Sequence, residues 1–225
     1  MTFSIVGRCG QSGMLGIAIT TSSICVGARC PHVRAGVGAV STQNVTDPNL
    51  GPLLLDALEQ GLDPESALIR ITRDRPHIQW RQLTIVDSRG RTAAFTGDRI
   101  LGVNAESSGD GCYAAGNLLS GIGVPEAMTR SFDGNPGVHL AERLLSALEA
   151  GLAAGGEAGD VHSAALLVAH EQPFPLVDLR VDWADNDALP ELRGLWQAYQ
   201  PQMNDYLARA IDPESAPSYG VPGDE

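Results

Sequence analysis

The chain lacks the residue spacings that usually mark metal and redox sites. Its four cysteines, Cys9, Cys25, Cys30 and Cys112, form no CxxC pair, which excludes a zinc ribbon and a dithiol redox motif. The histidines at 32, 77, 139, 162 and 170 show no HExxH or comparable ligand spacing, so no metal and no cofactor is expected. Positive charge is scarce as well. Fifteen basic against 27 acidic residues give a formal charge of -12, a field that repels nucleic-acid phosphates and anionic membranes alike. No apolar run reaches membrane-spanning length, and the first residues do not read as a basic region, an apolar run and a cleavage site. With thiols best read as free, these absences predict a soluble cytoplasmic protein. Aromatic residues make up only 5%, so the core must be built from Val, Ile, Leu and Ala.

What is present is a succession of short elements separated by Gly and Pro. Residues 3–8 alternate as a half-buried strand, Cys9-Gly10-Gln11-Ser12-Gly13 turns the chain, and residues 14–20 return as a second strand. Residues 24–30 read as a short strand or extended loop, and 35–42 as a buried strand whose glycines permit close layer packing. Leu53, Leu54, Leu55 and Leu58 give one helix an apolar face. Asp63 as N-cap and Pro64 in the first turn start another. Residues 82–87 and 91–96 around Ser88-Arg89-Gly90 form the clearest hairpin, with Asp87 read as a turn residue.

Beyond residue 110 the pattern gives a strand over 111–115, then a helix through Leu118, Leu119, Val124, Ala127, Met128 and Phe132. A helix over 140–152, strands over 163–169 and 176–181, and a C-terminal helix kinked at Pro201 complete the order. Residues 1–211 read as one domain and 212–225 as a disordered acidic tail. Clustered strands with paired helices between them indicate a layered α+β domain.

The opening Met1-Thr2 carries the sharpest chemistry. Removal of Met1 gives Thr2 a hydroxyl nucleophile and an α-amine that can serve as its base. A sequential Cys30/His32 pair is a weaker nucleophile candidate, since Pro31 separates them and no activation motif is present.

The segments Thr2-Phe3-Ser4-Ile5-Val6, Leu15-Gly16-Ile17-Ala18-Ile19, Arg34-Ala35-Gly36-Val37-Gly38-Ala39-Val40-Ser41-Thr42-Gln43 and Ala94-Phe95-Thr96-Gly97 resemble an uncharacterised family placed with the N-terminal nucleophile (Ntn) hydrolases. Gly116-Asn117-Leu118-Leu119, residues 163–168 and residues 178–182 extend the resemblance over nearly all the chain before the C-terminal helix. It implies a four-layer αββα sandwich, two antiparallel sheets between helical layers, with the site at one end of the first strand. Thr2 matches the nucleophile position.

In that architecture a Thr42-Gln43-Asn44 loop is expected near Thr2, offering backbone N–H groups and the Gln43 and Asn44 amides to an oxyanion, or else simply capping the next helix. Ser22 and Ser23 are candidates to bond the amine or hydroxyl of Thr2. Arg29 or Arg34 is a candidate for a substrate carboxylate, with a structural ion pair the commoner role. Asn117, in a Gly-Asn turn where a left-handed turn residue is the commoner role, is a further candidate for substrate contact. The expected activity is hydrolysis of a small amide or ureido-type metabolite. A noncatalytic small-molecule binding or assembly protein on the same fold is the competing reading. A homo-oligomer is compatible with the Trp196, Tyr199 and Tyr206 stripe, although packing on the core is the favoured reading of that stripe.

Overall fold

A computed structural model describes residues 1–223. Among the described residues ten strands form two antiparallel sheets. The larger has the order β10 (Val177–Val181), β9 (Ser163–Ala169), β2 (Leu15–Thr21), β1 (Thr2–Arg8), β8 (Cys112–Asn117) and β7 (Ala105–Gly109). The smaller runs β3 (Pro31–Arg34), β4 (Gly38–Asn44), β5 (Arg81–Asp87) and β6 (Thr92–Thr96). On the outer face of the small sheet lie α1 (Leu50–Glu59) and α2 (Pro64–Thr72), and on that of the large sheet α3 (Val124–Asp133) and α4 (Leu140–Ala153). The sheets face one another, chiefly through β1 and β2 against β3 and β4. This is the α+β, four-layer αββα order.

Strand periodicity sorts the core into layers. Along β1, Phe3 and Ile5 join Met128, Phe132, Leu144 and Leu148 beneath α3 and α4. Val6, on the opposite face, meets Leu15, Ile17, Ala39 and Val86 between the sheets. Fully burying a side chain of this size contributes about 1.5–3 kcal/mol. Gly7 and Gly16 are cross-strand partners. A Cβ at Gly7 would lie 2.7 Å from the Phe132 ring, and one at Gly16 would lie 2.8 Å from a Leu144 methyl. Two adjacent strands therefore drop their side chains at one point, and α3 and α4 settle closely onto the sheet.

Several local signals act as the sequence predicts. Asp63 caps α2 by accepting the Ser66 N–H at 2.9 Å. Asp87 holds its turn by accepting the Arg89 and Arg91 backbone N–H groups, each at 2.9 Å, and it pairs with the Arg91 guanidinium at 2.7 Å.

Other elements differ from expectation. Of the two alternatives for residues 24–30 the loop holds, built around a 3-10 turn, Val26–Ala28, while an unexpected strand follows at Pro31–Arg34. Pro31 is tolerated there because β3 is an edge strand. The polar edge strand β7, AESSG, has none of the β-branched or aromatic residues that announce a strand. Leu118 and Leu119 precede α3 rather than joining it. Leu118 takes a left-handed conformation with φ 51°, and the helix starts only at Val124, with Pro125 in its first turn. The C-terminal helix breaks at Pro201 into α5 (Ala188–Tyr199) and α6 (Met203–Ile211), joined by a 3-10 turn. Trp196 is fully buried and Tyr199 stacks on Tyr206 at 5.9 Å, so much of the aromatic stripe packs inward. Of the expected tail, residues 212–223 contain no helix or strand, and 224–225 lie outside the described residues. No helix among the described residues is long and apolar enough to cross a membrane.

Candidate functional site at the head of the first strand

β1 lies centrally in the large sheet. Thr2 pairs with Thr21 of β2 on one side and with Asn117 of β8 on the other. Its side chain is 6% exposed. The Thr2 hydroxyl donates to the Met1 carbonyl oxygen at 2.6 Å and lies 3.1 Å from the Thr21 hydroxyl. Thr21 Oγ1 donates to the same Met1 oxygen. Two hydroxyls thus converge on one carbonyl at the end of a sheet, and the Met1 side chain packs toward Gly159.

Below Thr2, on the same face of β1, begins a buried polar network. Ser4 Oγ donates to Gln43 Oε1 at 2.7 Å and lies 3.1 Å from Ser41 Oγ, joining the two sheets. Gln43 Nε2 donates to Gln82 Oε1 at 2.8 Å and to the Ala115 carbonyl at 3.2 Å. Gln82 Nε2 donates to the Gly116 carbonyl and to Thr96, each at 3.3 Å, while Asn117 Nδ2 donates to Gln82 Oε1 at 3.3 Å. The orientations follow from chemistry, because a backbone carbonyl only accepts. Ala115 and Gly116 fix the NH₂ groups of Gln43 and Gln82, and Gln82 then presents its oxygen to Asn117. Asn117 must answer with its NH₂, which leaves Asn117 Oδ1 buried and without a partner.

Glu157 closes the site from above. It follows α4, forms an isolated antiparallel bridge with Leu119, and is 6% exposed. Its Oε2 accepts the Ser22 N–H at 3.3 Å, and its Oε1 has no partner. Burial pushes its carboxyl up to about 7, while the nearby N-terminal amine and the Ser22 hydrogen bonds pull the other way.

The expected site residues part company here. Thr2 and Asn117 come together as strand neighbours, and Asn117 is the last residue of β8 rather than a left-handed turn; the left-handed residue is Leu118. Thr42, Gln43 and Asn44 are not a loop. They end β4, with Thr42 and Gln43 fully buried, and their backbones pair with β5. The Gln43 amide is spent inside the network. Asn44, at φ 74°, gives its Nδ2 to the Trp80 carbonyl at 2.8 Å and accepts the Leu101 N–H at 3.2 Å. Neither amide is a free oxyanion donor.

Ser22 and Ser23 lie beside the site, yet Thr21 makes the direct contact with Thr2. Ser23 Oγ stands 3.4 Å from the Thr21 hydroxyl, and Ser22 contributes its backbone N–H to Glu157. Arg29 staples its own loop by donating to the Ile24 and Cys25 carbonyls. Arg34 pairs with Asp56 at 2.8 Å and Glu59 at 2.7 Å, at the opposite end of the small sheet. That opposite end also holds a polar cleft of about 330 Å³ lined by Gly36, Glu59, Asp63, Asp87 and Arg91. Cys30 is buried against Thr46, its thiol pushed up by burial, while His32 packs on Gly51; the two do not pair.

Thr21, Ser4, Ser41, Gln82 and Glu157 carry no motif. Thr21 is nevertheless implicit in the first hairpin, since Arg8 facing Leu15 fixes Thr2 opposite Thr21. Ser4 follows from Thr2 by strand alternation.

An αββα sandwich with a buried hydroxyl at the head of its central strand defines the class of molecule. Over residues 2–192 the chain matches the "Family of unknown function (DUF1028)", and it belongs to that family. The crystal structure of protein SPO2555 from Silicibacter pomeroyi, also assigned to DUF1028, is 31% identical, with a TM-score of 0.82, and the match covers 88% of this chain and 89% of that one. Anbu (ancestral beta-subunit) from Yersinia bercovieri matches at 12% identity and a TM-score of 0.41, covering 97% of this chain and 100% of that one, which is too weak to carry an argument. No curated protein matches.

Proposed function

We propose that this protein, once Met1 is removed, is an Ntn-type amidohydrolase whose nucleophile is Thr2 and whose substrate is a small amide or ureido-type metabolite. The observation that carries the reading is the Met1 carbonyl, held by the Thr2 and Thr21 hydroxyls at the buried head of β1. A substrate carbonyl taking that place meets the attacking oxygen and a second hydroxyl donor together. The sequence resemblance to Ntn hydrolases supports the same assignment.

In the mechanism the neutral α-amine takes the Thr2 hydroxyl proton as the Oγ–C bond forms. Thr21 donates to the developing oxyanion, a type of contact worth about 2.7–4 kcal/mol when a strong donor is removed. The ammonium then gives its proton to the leaving nitrogen as the C–N bond breaks. Water hydrolyses the Thr2 ester and regenerates the hydroxyl. Asn117 Oδ1, unpartnered beside Thr2, suits an N–H of the bound amide. The setting that fits is a reducing cytoplasm, with all four cysteines free, and a homo-oligomer is compatible with it.

The second reading, a noncatalytic binding protein, draws on the engaged amides of Gln43 and Asn44, which leave Thr21 as the principal side-chain donor. Intact mass establishes whether Met1 is absent. Turnover of a panel of small amides by wild type and Thr2→Ala then decides: loss of turnover in the variant supports the nucleophile, and full activity removes it. Tight binding with no turnover by wild type favours the binding protein.

A further inference from the structure

We infer, on the Thr2 reading above, that the substrate's acyl part is an α-aminoacyl group, as in an amino-acid amide or a short peptide with a free N-terminus, and that Glu157 anchors its α-ammonium.

Met1 is itself an α-aminoacyl group seated at the nucleophile. Its carbonyl oxygen accepts the Thr2 and Thr21 hydroxyls. Its side chain runs along Gly159, where a Cβ would lie 3.0 Å from the Met1 methyl carbon. An acyl group on Thr2 Oγ differs from one on the Thr2 nitrogen only by transfer between neighbouring atoms of one residue, so the acyl part of a Thr2 ester falls close to the place Met1 holds as an amide. Once Met1 is gone, the Thr2 amine stands where the peptide nitrogen stood, one residue further into the strand than the Met1 amine, about 3.8 Å along the chain. The place of the Met1 ammonium is then left to the substrate.

Glu157 crosses that end of the sheet. Ser22, the residue after Thr21, donates its N–H to Glu157 Oε2, Leu119, two residues after Asn117, bridges to Glu157, and the Ala158 N–H on the Leu118 carbonyl at 3.0 Å fixes the same crossing. A buried carboxylate ordinarily has a cation or several donors, but this one has a single long hydrogen bond and an Oε1 without a partner. No arginine pairs with it among the described residues, and the chain contains no lysine. Burial raises its carboxyl, and the Met1 ammonium is the charge that pulls it back. Other titratable groups on the flanking segments do not compensate it. Asp160 is an acid on the same loop, and His162 turns its ring Nδ1 to the Ala184 carbonyl and stacks on Trp183. A substrate ammonium in the place of Met1's restores the missing cation.

The chemistry at Thr2 is unchanged. The bond from Thr2 Oγ to the carbonyl carbon forms, the C–N bond breaks with the proton passing through the Thr2 amine to the leaving nitrogen, and water releases the free amino acid. Glu157 and the substrate ammonium remain an ion pair throughout and exchange no proton. Pairing with the Thr2 amine is the competing role for Glu157, and the two differ in what they select. A partner of Thr2 acts on every substrate alike, whereas an ammonium anchor separates acyl groups that carry an amine from those that do not. Gly159 is exposed, so the side-chain end opens to solvent and the amine, rather than the side chain, is the group selected.

The test uses protein beginning at Thr2, produced behind a cleavable leader, and two amides that differ by one amino group, L-methioninamide and 4-(methylthio)butanamide, with ammonia release as the readout near neutral pH. Wild type is expected to turn over L-methioninamide with a kcat/KM about 100-fold or more above that of the desamino amide. Glu157→Gln should bring the ratio near unity, chiefly through KM, and Glu157→Asp should restore part of it. Equal kcat/KM for the two amides in wild type, or an undiminished ratio in Glu157→Gln, overturns the inference. So does a loss in Glu157→Gln that is equal for both amides, the mark of a partner for the Thr2 amine. Calorimetry on Thr2→Ala reads the ammonium contact without the chemistry: L-methioninamide should bind about tenfold or more tightly than the desamino amide, and adding Glu157→Gln should remove the difference. That binding preference beside retained turnover in Thr2→Ala sinks the nucleophile and keeps the ammonium site; turnover that requires Thr2 but ignores the amino group does the reverse.

Discussion

The space between the two sheets has one apolar end and one polar end, though both belong to the same strands. At one end Val6, Leu15, Ile17, Ala39 and Val86 pack together, with Val33, Tyr113 and Leu167 against them. At the other, Ser4, Ser41, Gln43, Gln82 and Asn117 fill an equally buried volume with amides and hydroxyls. The apolar end gains free energy from every methyl group it removes from water. The polar end must first recover the desolvation of its amides, and it does so only because nearly every donor finds an acceptor. A sandwich held together only by burial has no need of such a layer. Its position beneath Thr2, with Asn117 Oδ1 and Glu157 Oε1 left unpartnered nearby, marks the end where specificity outweighs stability.

Thr2→Ala is the largest test of that contrast. Turnover should fall by about 10³-fold or more, the order seen when an acting nucleophile is removed, with thermal stability nearly unchanged; a variant that loses stability but keeps turnover would make the polar end purely structural. In the apolar end Ile17→Ala should destabilise by about 2–5 kcal/mol, read by urea unfolding, because the neighbouring sheet cannot close the cavity.

Gln82→Ala probes the polar end by the same measurement. It strands Asn117 Nδ2 and one N–H of Gln43 Nε2, which keeps the Ala115 carbonyl, and an expected cost of about 1–3 kcal/mol reflects a buried group left unsatisfied. If its cost exceeds that of Ile17→Ala, the polar layer is the stronger clamp between the sheets and the comparison reverses.

The smallest effect concerns pH. Glu157 has its folded pKa raised to about 7, chiefly by burial, against about 4.3 in an unfolded chain. The folded state thus binds the proton more tightly, and stability declines as pH rises through that interval. Glu157→Gln should therefore raise Tm by a few degrees at pH 8, with the gain shrinking toward pH 5. Glu142 acts in the opposite sense: burial raises its pKa, but hydrogen bonds from Arg193, Ser146 and Trp196 outweigh that and hold it below the ordinary value. Its stabilisation is lost as pH falls below the ordinary carboxylate range, so a Tm-pH profile of Glu157→Gln should retain the acid limb of the wild-type curve.

Much of the local structure was legible because its causes are local. Gly-rich turns set the β1–β2 and β5–β6 hairpins, Asp63 and Pro64 set the start of α2, and Asp87 organises a turn within four residues of itself. The polar strand β7 escaped because an edge strand can be specified by its neighbour instead of its own side chains. The Thr42-Gln43-Asn44 segment read as a loop because polar residues in a row ordinarily face water; tertiary pairing gave them buried partners in another sheet.

The sequence by itself therefore determined most of the strands and helices and put a hydroxyl at the head of the first strand, since alternation, turns and caps act over a few residues. Only the tertiary structure decided what surrounds that hydroxyl. Gln43 meets Gln82 from 39 positions away, Asn117 meets Gln82 from 35, and Ser22 meets Glu157 from 135. No local preference specifies such encounters; they follow from packing one sheet on the other and from a loop laid across the end of β1.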